Sequence, residues 1–446
     1  MVRWRRTNGL HFEAFKAINY RLWLALILTQ FIPLIYATTR VHFLGALPSA
    51  SAFTIAAQVT WLNVGYEVLK EALLVPLAFI LGSVIKHTEE FRARAGVALL
   101  VTLMSYAGLT FIVLVFAPEF VQAVKQQEGL WLQTAQYIRL ESIAILLSSV
   151  YAFVSLVLLL KNRQRHLYWF LITQSLLTIL CDSFLVSQHA YSLQLGVMGI
   201  AVSNLVVNGV LALIALVYLS RCGIVLQRSY SGWISHNWLR EWWLIGWKSG
   251  LESFVRNAAF VIMILQLINE VRQAGNFWVA NQFIWGWLLL PVLALGQLIK
   301  RDTATSNGLT EERLRSYLWL SLGIVLIWLV SASTWEGFIS NVMGVQPSLP
   351  VTNVVWLMVG FYAIFTLNNV VDSYFYGLGR TDLMLYQSLI VNILFYGSAF
   401  ILYQFGVFVP TLERITLMFG IGMTIDALIT WTLYLGLRRK TLLQTI

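Results

Sequence analysis

Long apolar runs recur along the whole chain, and they restrict its fold more than any other feature. The 446 residues are 59% hydrophobic and 11% charged, whereas a soluble domain usually has about a quarter of its residues charged. Most runs reach about twenty residues, the length that a helix needs to cross a bilayer. A membrane β-barrel would instead show short alternating strands. We therefore predict an all-α integral membrane protein, whose helices satisfy their own backbone hydrogen bonds in lipid.

Twelve of these runs are predicted to span the membrane, and no loop between them is long enough for a soluble domain. The second run is so long that it must tilt or extend into water. The predicted spans are 17–40, 52–86, 94–116, 132–160, 167–187, 195–220, 240–269, 277–300, 314–340, 351–377, 383–405 and 411–437.

Positive charge alternates between the two ends of successive spans. If both termini are cytosolic, 22 of the 30 Lys and Arg residues lie on the cytosolic side. Cytosolic loops carry such an excess in membrane proteins, so the pattern predicts a multi-pass protein of the plasma or inner membrane. The basic N-terminal segment has no small-residue cleavage site after it, which predicts a retained first helix. The cations assigned to the opposite side are Arg40, Lys125, Arg272 and Arg414.

A short motif occurs twice, once in each half of the chain. Leu73-Leu74-Val75-Pro76 in the second span matches Leu288-Leu289-Leu290-Pro291 in the eighth, and residues 160–176 resemble residues 378–394 more weakly. Both pairs are six spans apart, so the halves have the same orientation. We therefore predict two six-helix bundles, 1–225 and 226–446, related by a parallel internal repeat, with a substrate site between them.

Ionisable and amide side chains inside the predicted spans are the candidate functional residues, because charges at membrane depth are costly and usually face a polar interior. The Glu67, Lys70 and Glu71 side chains share one helical face, and Lys248 is predicted to be interfacial. The main candidates for substrate binding or ion coupling are Asp182, Glu252, Arg256, Asn257, Asn368 and Asp372. The weaker candidates are Glu67, Glu71, Arg139, Glu141 and Asp426.

Asp182 and Asp372 stand out within this set, because no cation lies beside either of them in the sequence. Their short side chains cannot extend far toward water. A buried carboxylate without a cationic partner takes up a proton readily, or it can bind Na⁺ with help from amide or backbone oxygens. We therefore expect H⁺ or Na⁺ as a coupling ion, with a possible Na⁺ site near Asp182 or Asp372 and no other cofactor.

Several other functional classes are disfavoured. The sequence has no metalloprotease, nucleophile-elbow or phosphate-binding motif, so we do not expect an enzyme or an ATP-driven pump. The two cysteines form no metal-binding spacing. The net charge of +10 is distributed over short clusters between spans, which argues against nucleic-acid binding. The expected partners are the lipid bilayer and a small-molecule or lipid-linked substrate, and we expect a monomer.

Several short motifs resemble those of the multidrug and toxic compound extrusion (MATE) transporters, within the superfamily that includes lipid and polysaccharide flippases. These motifs are Leu44-Gly45 after the first span, Asp182 late in the fifth, Leu195-Gly196-Val197-Met198-Gly199-Ile200-Ala201 at the sixth, and Gly377-Leu378-Gly379-Arg380-Thr381 after the tenth. The resemblance covers nearly the whole chain. It implies a MATE-like fold, and it implies transport by movement of two six-helix lobes.

The chain departs from the family pattern at its usual ion site. The acid that many members carry on the first helix corresponds to Ala37 here, and Thr178 stands where an Asn precedes the acid of the fifth helix. The acid that some branches carry on the seventh helix falls near Arg256, with Glu252 one turn earlier. Asp182 therefore lacks the partner that the family pattern implies, and the usual ion site is incomplete.

The preferred functional hypothesis is a secondary transporter that exports an amphipathic organic compound by alternating access, coupled to H⁺ or Na⁺. One alternative is a flippase for a lipid-linked precursor that needs no conventional ion coupling, which the missing acid on the first helix favours. A further alternative, of another class, is a non-transporting membrane scaffold.

Overall fold

The computed structural model describes residues 18–48, 51–161, 163–224, 236–306 and 308–444. These residues are almost entirely helical, and no β-strand occurs among them. The predicted all-α fold class is therefore confirmed. The basic N-terminal segment and the predicted boundary between residues 225 and 226 lie outside the described residues.

Ten helical segments of the described chain are long and apolar enough to cross a membrane, and an eleventh arises if a pair of helices with a 53° bend is one span. This result supports a multi-pass membrane protein. Each of the twelve predicted segments overlaps a helix. The second segment, which carries Glu67, Lys70 and Glu71, is divided into shorter helices and is too polar to meet the same criterion. Twelve spans therefore stay a prediction.

The contacts within the chain define two compact units. Unit A is Thr39–Gly275, and unit B combines the described residues up to Thr38 with Asn276–Ile446. This division differs from the predicted halves, since most of the first helix belongs with the later half of the chain and the seventh predicted span belongs with the earlier half. The halves 1–225 and 226–446 came from the sequence repeat alone, and they stay a prediction.

Unit A contains the end of α1 and a series of helices, two of which are interrupted by π-helical turns. A π-helical turn, Lys70–Leu74, separates α3 from α4, and a second one, Val261–Leu265, separates α9 from α10. The helices are α1 (Tyr20–Gly45), α2 (Ala52–Ala57), α3 (Val59–Leu69), α4 (Val75–Gly82), α5 (Thr88–Ala123), α6 (Trp131–Leu160), α7 (Gln164–Leu185), α8 (Val197–Arg221), α9 (His236–Phe260) and α10 (Gln266–Glu270).

The core of unit A lies between α4, α5, α6 and α8. On α8 the buried residues Val207, Leu211, Ala215 and Leu219 recur every four positions, so they form one apolar stripe along the helix. They pack in the same cluster as Phe153, Val157 and other buried residues of α6. The opposite faces of these helices expose apolar side chains, such as Leu213 at 66%, as expected for helices that face lipid.

Helix α9 packs closely against the π-helical turn Lys70–Leu74, at positions where α9 carries glycines. A Cβ atom at Gly246 would meet the carbonyl oxygen of Ala72, and one at Gly250 would lie 2.8 Å from the Cβ of Ala72. Pro76 has no N–H, so it cannot donate to that carbonyl four residues earlier. The indole of Trp242 instead donates from Nε1 to the neighbouring carbonyl of Leu73 at 3.0 Å. Glycines at a four-residue spacing allow such close helix contacts in membranes.

Gly246→Ala is expected to destabilise the protein by about 1–3 kcal/mol, because the added methyl group overpacks a contact with backbone that cannot rotate away. The matched control is Gly108→Ala on α5, where an added Cβ meets nothing within 4 Å. That change should stabilise by about 0.4–1 kcal/mol through the unfolded chain. The thermal unfolding midpoint in detergent measures both effects. Equal midpoints for the two variants would contradict this description of the α9 contact.

Unit B contains most of α1 and the second series of helices. Two π-helical turns, Ile284–Leu288 and Ile390–Tyr396, interrupt it. The helices are α11 (Ala274–Phe283), α12 (Leu290–Thr305), α13 (Glu311–Ser331), α14 (Trp335–Asn341), α15 (Leu349–Gly377), α16 (Thr381–Leu389), α17 (Gly397–Gln404) and α18 (Leu412–Gln444). The bent pair is formed by the segment that ends at Leu288 and by α12.

The motif that occurs twice in the sequence has a similar backbone in both places. The turn Lys70–Leu74 precedes Pro76, and the turn Ile284–Leu288 precedes Pro291. A proline removes one backbone donor and disturbs the helix before it, and a π-helical turn is one way to accommodate that disturbance. The likeness is thus local and physical in origin, and a repeat of whole halves stays a prediction.

Helix α15 is the centre of unit B and packs against α12, α13 and α18. Gly296 on α12 allows a close approach, since a Cβ there would lie 2.8 Å from both Asn369 Nδ2 and Ser373 Oγ of α15. On the other side, Val371 and Phe375 of α15 are fully buried and pack near Trp431 of α18. These contacts orient α15 so that the side with its polar residues packs against α18.

Candidate functional site

Asp182 of α7 is bound by an arginine of unit A. Arg40 Nε donates to Asp182 Oδ2 at 2.8 Å, and Arg40 Nη2 donates to Oδ1 at 3.1 Å. The aspartate is 1% exposed. A bidentate guanidinium–carboxylate pair is among the strongest charge-assisted contacts in proteins. Both carboxylate oxygens of Asp182 are therefore already occupied by a cationic donor.

The same arginine connects to a second carboxylate through an amide. Arg40 Nη1 donates to Asn204 Oδ1 at 2.8 Å, and Asn204 Nδ2 donates to both oxygens of Glu141 at 2.8 and 3.0 Å. The Tyr137 hydroxyl also hydrogen-bonds with Glu141, which is 3% exposed. We call this set the Arg40 network: Arg40, Tyr137, Glu141, Asp182 and Asn204.

This arrangement corrects two interpretations of the sequence. Arg40 was assigned to a loop after the first span, but α1 continues to Gly45 and places it one turn after Ala37. Asp182 was expected to have no cationic partner, but its partner is 142 positions away in the sequence. A basic residue thus lies one helical turn after Ala37, the position where the family acid is missing. Arg40 therefore neutralises the charge of the fifth-helix acid.

A second polar cluster in unit B joins two carboxylates. Asn368 Nδ2 donates to Asp372 Oδ2 at 3.0 Å and to Asp426 Oδ2 at 3.4 Å, while Thr430 Oγ1 donates to Asp372 Oδ1 at 3.1 Å. Asn368 and Asp372 are one turn apart on α15, and Asp426 and Thr430 are one turn apart on α18. Across the contact between the two helices, Asn368 therefore pairs with Asp426 and Asp372 pairs with Thr430. We call these four residues the Asp372 cluster.

The Asp372 cluster has more negative than positive charge. Among the described residues neither carboxylate forms an ion pair. Lys300 of α12 acts on Asp372 only through its electrostatic field, and its Nζ lies 4.8 Å from the ring centroid of Tyr376. Two neighbouring carboxylates that share one amide donor are stabilised by a proton or by a cation between them.

Asn368 adds an acceptor to this cluster. Its side chain is 1% exposed, and its Oδ1 has no hydrogen-bond partner among the described residues. Buried amide oxygens normally accept a hydrogen bond, so this atom has capacity for a further donor or cation. The oxygens of Asp372, Asp426 and Asn368 are the kind of ligands that hard cations prefer. The carboxylates near the candidate Na⁺ position at Asp372 thus form no ion pair among the described residues, whereas Asp182 is paired with Arg40.

The remaining predicted residues lie apart from both clusters. Glu252 accepts from Arg256 Nη1 at 2.8 Å within α9, Asn257 donates to Ser253 Oγ at 3.1 Å, and Arg139 Nε donates to the carbonyl of Leu114 at 2.9 Å. These contacts are local, and the roles predicted for these residues stay predictions. Glu67 pairs with Lys70 at 3.4 Å, and Glu71 lies within the electrostatic field of Glu67, Lys70, Glu252 and Arg256.

Sequence patterns identified the acids but not how they are combined. Arg40, Asn204, Tyr137 and Thr430 were all missed as members of polar networks. Arg40 was the detectable one, since it follows Ala37 by three positions and a helix extended by one turn would have placed it in the span. The other three are ordinary polar residues within apolar runs, and no signal in a single sequence separates them from structural polar residues.

Comparison with known proteins gives the fold a name. No protein-family model and no curated protein sequence matches the chain significantly. Solved structures do match. An inward-facing multidrug resistance MATE family transporter of the MOP superfamily superimposes with a TM-score of 0.72 at 15% identity, over 95% of this chain and 99% of that one.

Two further structures extend the comparison. A mutant of the Vibrio cholerae MATE transporter VcmN matches with a TM-score of 0.65 at 14% identity, over 97% of this chain and 98% of that one. The lipid II flippase MurJ, in an inward closed conformation, matches with a TM-score of 0.67 at 10% identity, over 91% and 86%. The chain therefore has the MATE-like fold that its motifs predicted.

Proposed function

We propose that this chain is a secondary active transporter that exports an amphipathic organic compound by alternating access, coupled to H⁺ or Na⁺ at the Asp372 cluster. The fold shared with MATE family transporters supports a transport role. The chemistry of the two polar clusters supports the position of the coupling ion.

The observation that carries the proposal is the difference in charge balance between the clusters. In the Arg40 network one guanidinium occupies both oxygens of Asp182. In the Asp372 cluster two partly buried carboxylates share one amide donor, with no ion pair among the described residues and an unused amide oxygen. A proton or Na⁺ would relieve the repulsion in the second cluster, whereas Arg40 already does so for Asp182 in the first.

An ion at the Asp372 cluster would also change how α15 and α18 interact. Without the ion, the two carboxylates repel each other across the helix contact. With the ion, they are held together. A ligand drives a conformational change only through its different affinity for the two states, and a substrate that prefers the opposite state is then coupled to the ion reciprocally. Asp372 and Asp426 are assigned to ion binding, and Arg40 with Asp182 to a structural pair.

The flippase alternative is not favoured, although MurJ shares the fold. A flippase without ion coupling does not need two partly buried acids that form no ion pair among the described residues, and keeping such groups in a membrane protein is costly. The mixed charges of α9 are engaged in the local pair of Glu252 and Arg256.

Reconstituted protein is expected to move an amphipathic dye only when an inward H⁺ or Na⁺ gradient is present. The test uses proteoliposomes with ethidium as a cationic probe and anilinonaphthalene sulfonate as an anionic probe. Ion gradients are imposed one at a time, and vesicles without protein are the control. Dye movement of equal rate with and without both gradients would contradict ion coupling and support a flippase instead.

A further inference from the structure

An apolar groove on unit A is formed by α3 with its π-turn, α5 and α9. It has a volume of about 580 Å³ and is lined on the α9 side by Trp242, Trp243, Trp247 and Phe254. The opposite walls include Ala72 beside the π-turn and Val101 on α5. The close contact of Gly246 and Gly250 with Ala72 forms the floor, and the tryptophan rings extend beyond it. The groove is therefore a fixed product of helix packing.

The lining of the groove is mostly hydrocarbon. Ser105 is the one side chain with a hydroxyl among its lining residues, and that hydroxyl donates to the carbonyl of Val101 at 2.9 Å. The Nε1 of Trp242 is used by the carbonyl of Leu73, so the indoles of Trp243 and Trp247 are the remaining polar side chains of the lining. A water-soluble ligand would lose most of its hydration here for few hydrogen bonds, which is unfavourable. The chemistry selects a flexible hydrocarbon.

Three aromatic residues of the groove are exposed on a helix that is able to cross a membrane. Trp243, Trp247 and Phe254 are 69%, 57% and 58% exposed, and they lie on a helical segment long and apolar enough to cross a membrane. In a bilayer the material that meets such a face is the acyl chains of lipids. A void between exposed rings in lipid would lose dispersion contacts, so the same chains fill it.

The groove is long enough for one acyl chain of one leaflet. The lining residues of α9 extend from Leu239 to Phe254, a rise of about 22 Å at 1.5 Å per residue, whereas one leaflet contributes about 15 Å to the hydrocarbon core. The Leu239 end also lies near basic side chains. Arg240 follows Leu239 and is exposed, and the guanidinium of Arg94, which pairs with Glu90, lies 5.6 Å from the ring of Trp238. Exposed Arg240 suits a lipid phosphate, with Arg94 as a second cation beside it.

We propose that this groove is a binding site for a phospholipid, which places one acyl chain between α5 and α9 and its phosphate at the end of the groove near Arg94 and Arg240. The proposal does not depend on the transport function. It assigns the exposed tryptophans of α9 to a retained lipid.

The test is photolabelling of the full-length protein in vesicles that contain a phosphatidylcholine with a diazirine on one acyl chain. Adducts are mapped by peptide mass spectrometry. The lining residues of α9 and α5 are expected to carry several-fold more label per exposed residue than the control face of α8, where Val206, Val210 and Leu213 are exposed. Equal labelling of the two faces would overturn the proposal.

A pair of variants at one position tests the groove itself. Ser105→Trp fills it and should reduce the α9 label to the level of α8, whereas Ser105→Ala leaves it open and should keep the label. Unchanged labelling of α8 shows that each variant is folded, and Val101→Phe is the substitute if Ser105→Trp fails that control. Persistent α9 label in the filled variant would overturn the proposal, as would displacement of the label by ethidium, which would indicate a small-molecule site.

Discussion

Arg40→Met is expected to lower the free energy of unfolding by about 3–5 kcal/mol, the usual cost of removing one partner from a buried ion pair. The substitution keeps most of the side-chain volume but removes the charge. Asp182 and Glu141 are 1% and 3% exposed, so two carboxylates would then share a buried network without a base. Thermal unfolding in detergent, followed by a dye that reports exposed thiols or by loss of the monodisperse peak, measures the effect.

Two controls separate this result from a general effect of losing an arginine. Arg315→Met removes a guanidinium that is 54% exposed and pairs with Glu311, and exposed pairs contribute about 0–1 kcal/mol. The double variant Arg40→Met/Asp182→Leu removes both charges of the buried pair, and such apolar replacements are often neutral. It should therefore recover much of the lost stability. An Arg40→Met variant as stable as Arg315→Met would mean that the Arg40 network is not formed.

Asp372→Asn and Asp426→Asn are each expected to reduce the stimulation of dye movement by an ion gradient by about 5- to 150-fold, the range of typical coupling free energies. Either change removes one of the two carboxylates that share the amide of Asn368, so the repulsion that the ion relieves is gone. Asparagine keeps the size of the side chain and can still accept from Thr430 or Asn368. The measurement is the initial rate of dye movement in proteoliposomes with and without the gradient.

The control variants come from the other acids of the chain. Asp382→Asn removes an exposed carboxylate that pairs with Arg380 outside the cluster, and it should leave the stimulation unchanged. The double variant Arg40→Met/Asp182→Leu lacks the carboxylate of Asp182 altogether and should also retain ion stimulation. Loss of stimulation in that double variant, with normal stimulation in Asp372→Asn, would place the coupling ion in unit A.

The sequence was sufficient for the fold class because apolar length and charge content are local properties. Each predicted span overlaps a helix, and the motifs around Gly196 and Gly379 correctly indicated a MATE-like fold. The second run shows where local properties are insufficient. Its three charges lie on a helix that is interrupted at Lys70–Leu74, and neither the length nor the mean hydropathy of the run predicts this interruption.

The acids of the candidate site could be predicted from the sequence. The hydrogen-bond partners of those acids could not. Asp182, Asp372 and Asp426 are conspicuous because charge is rare in apolar runs. Their partners depend on which helices pack together, and the decisive contact joins positions 40 and 182. A one-turn error at the end of α1 was enough to place Arg40 in a loop, which reversed the expected environment of Asp182. Only the three-dimensional packing distinguishes a neutralised acid from an open one.

The central claim is that the coupling ion binds between Asp372 and Asp426. Ion-induced infrared difference spectroscopy, with aspartate labelled by a heavy carbon isotope, tests it most directly because the carboxyl bands report their own protonation and cation contacts. A pH or Na⁺ change should produce an aspartate band from a partly buried side chain in the wild type. That band is predicted to persist in Arg40→Met/Asp182→Leu and to disappear in Asp372→Asn and in Asp426→Asn. A band that persists in both single variants and disappears in the double variant would contradict the claim.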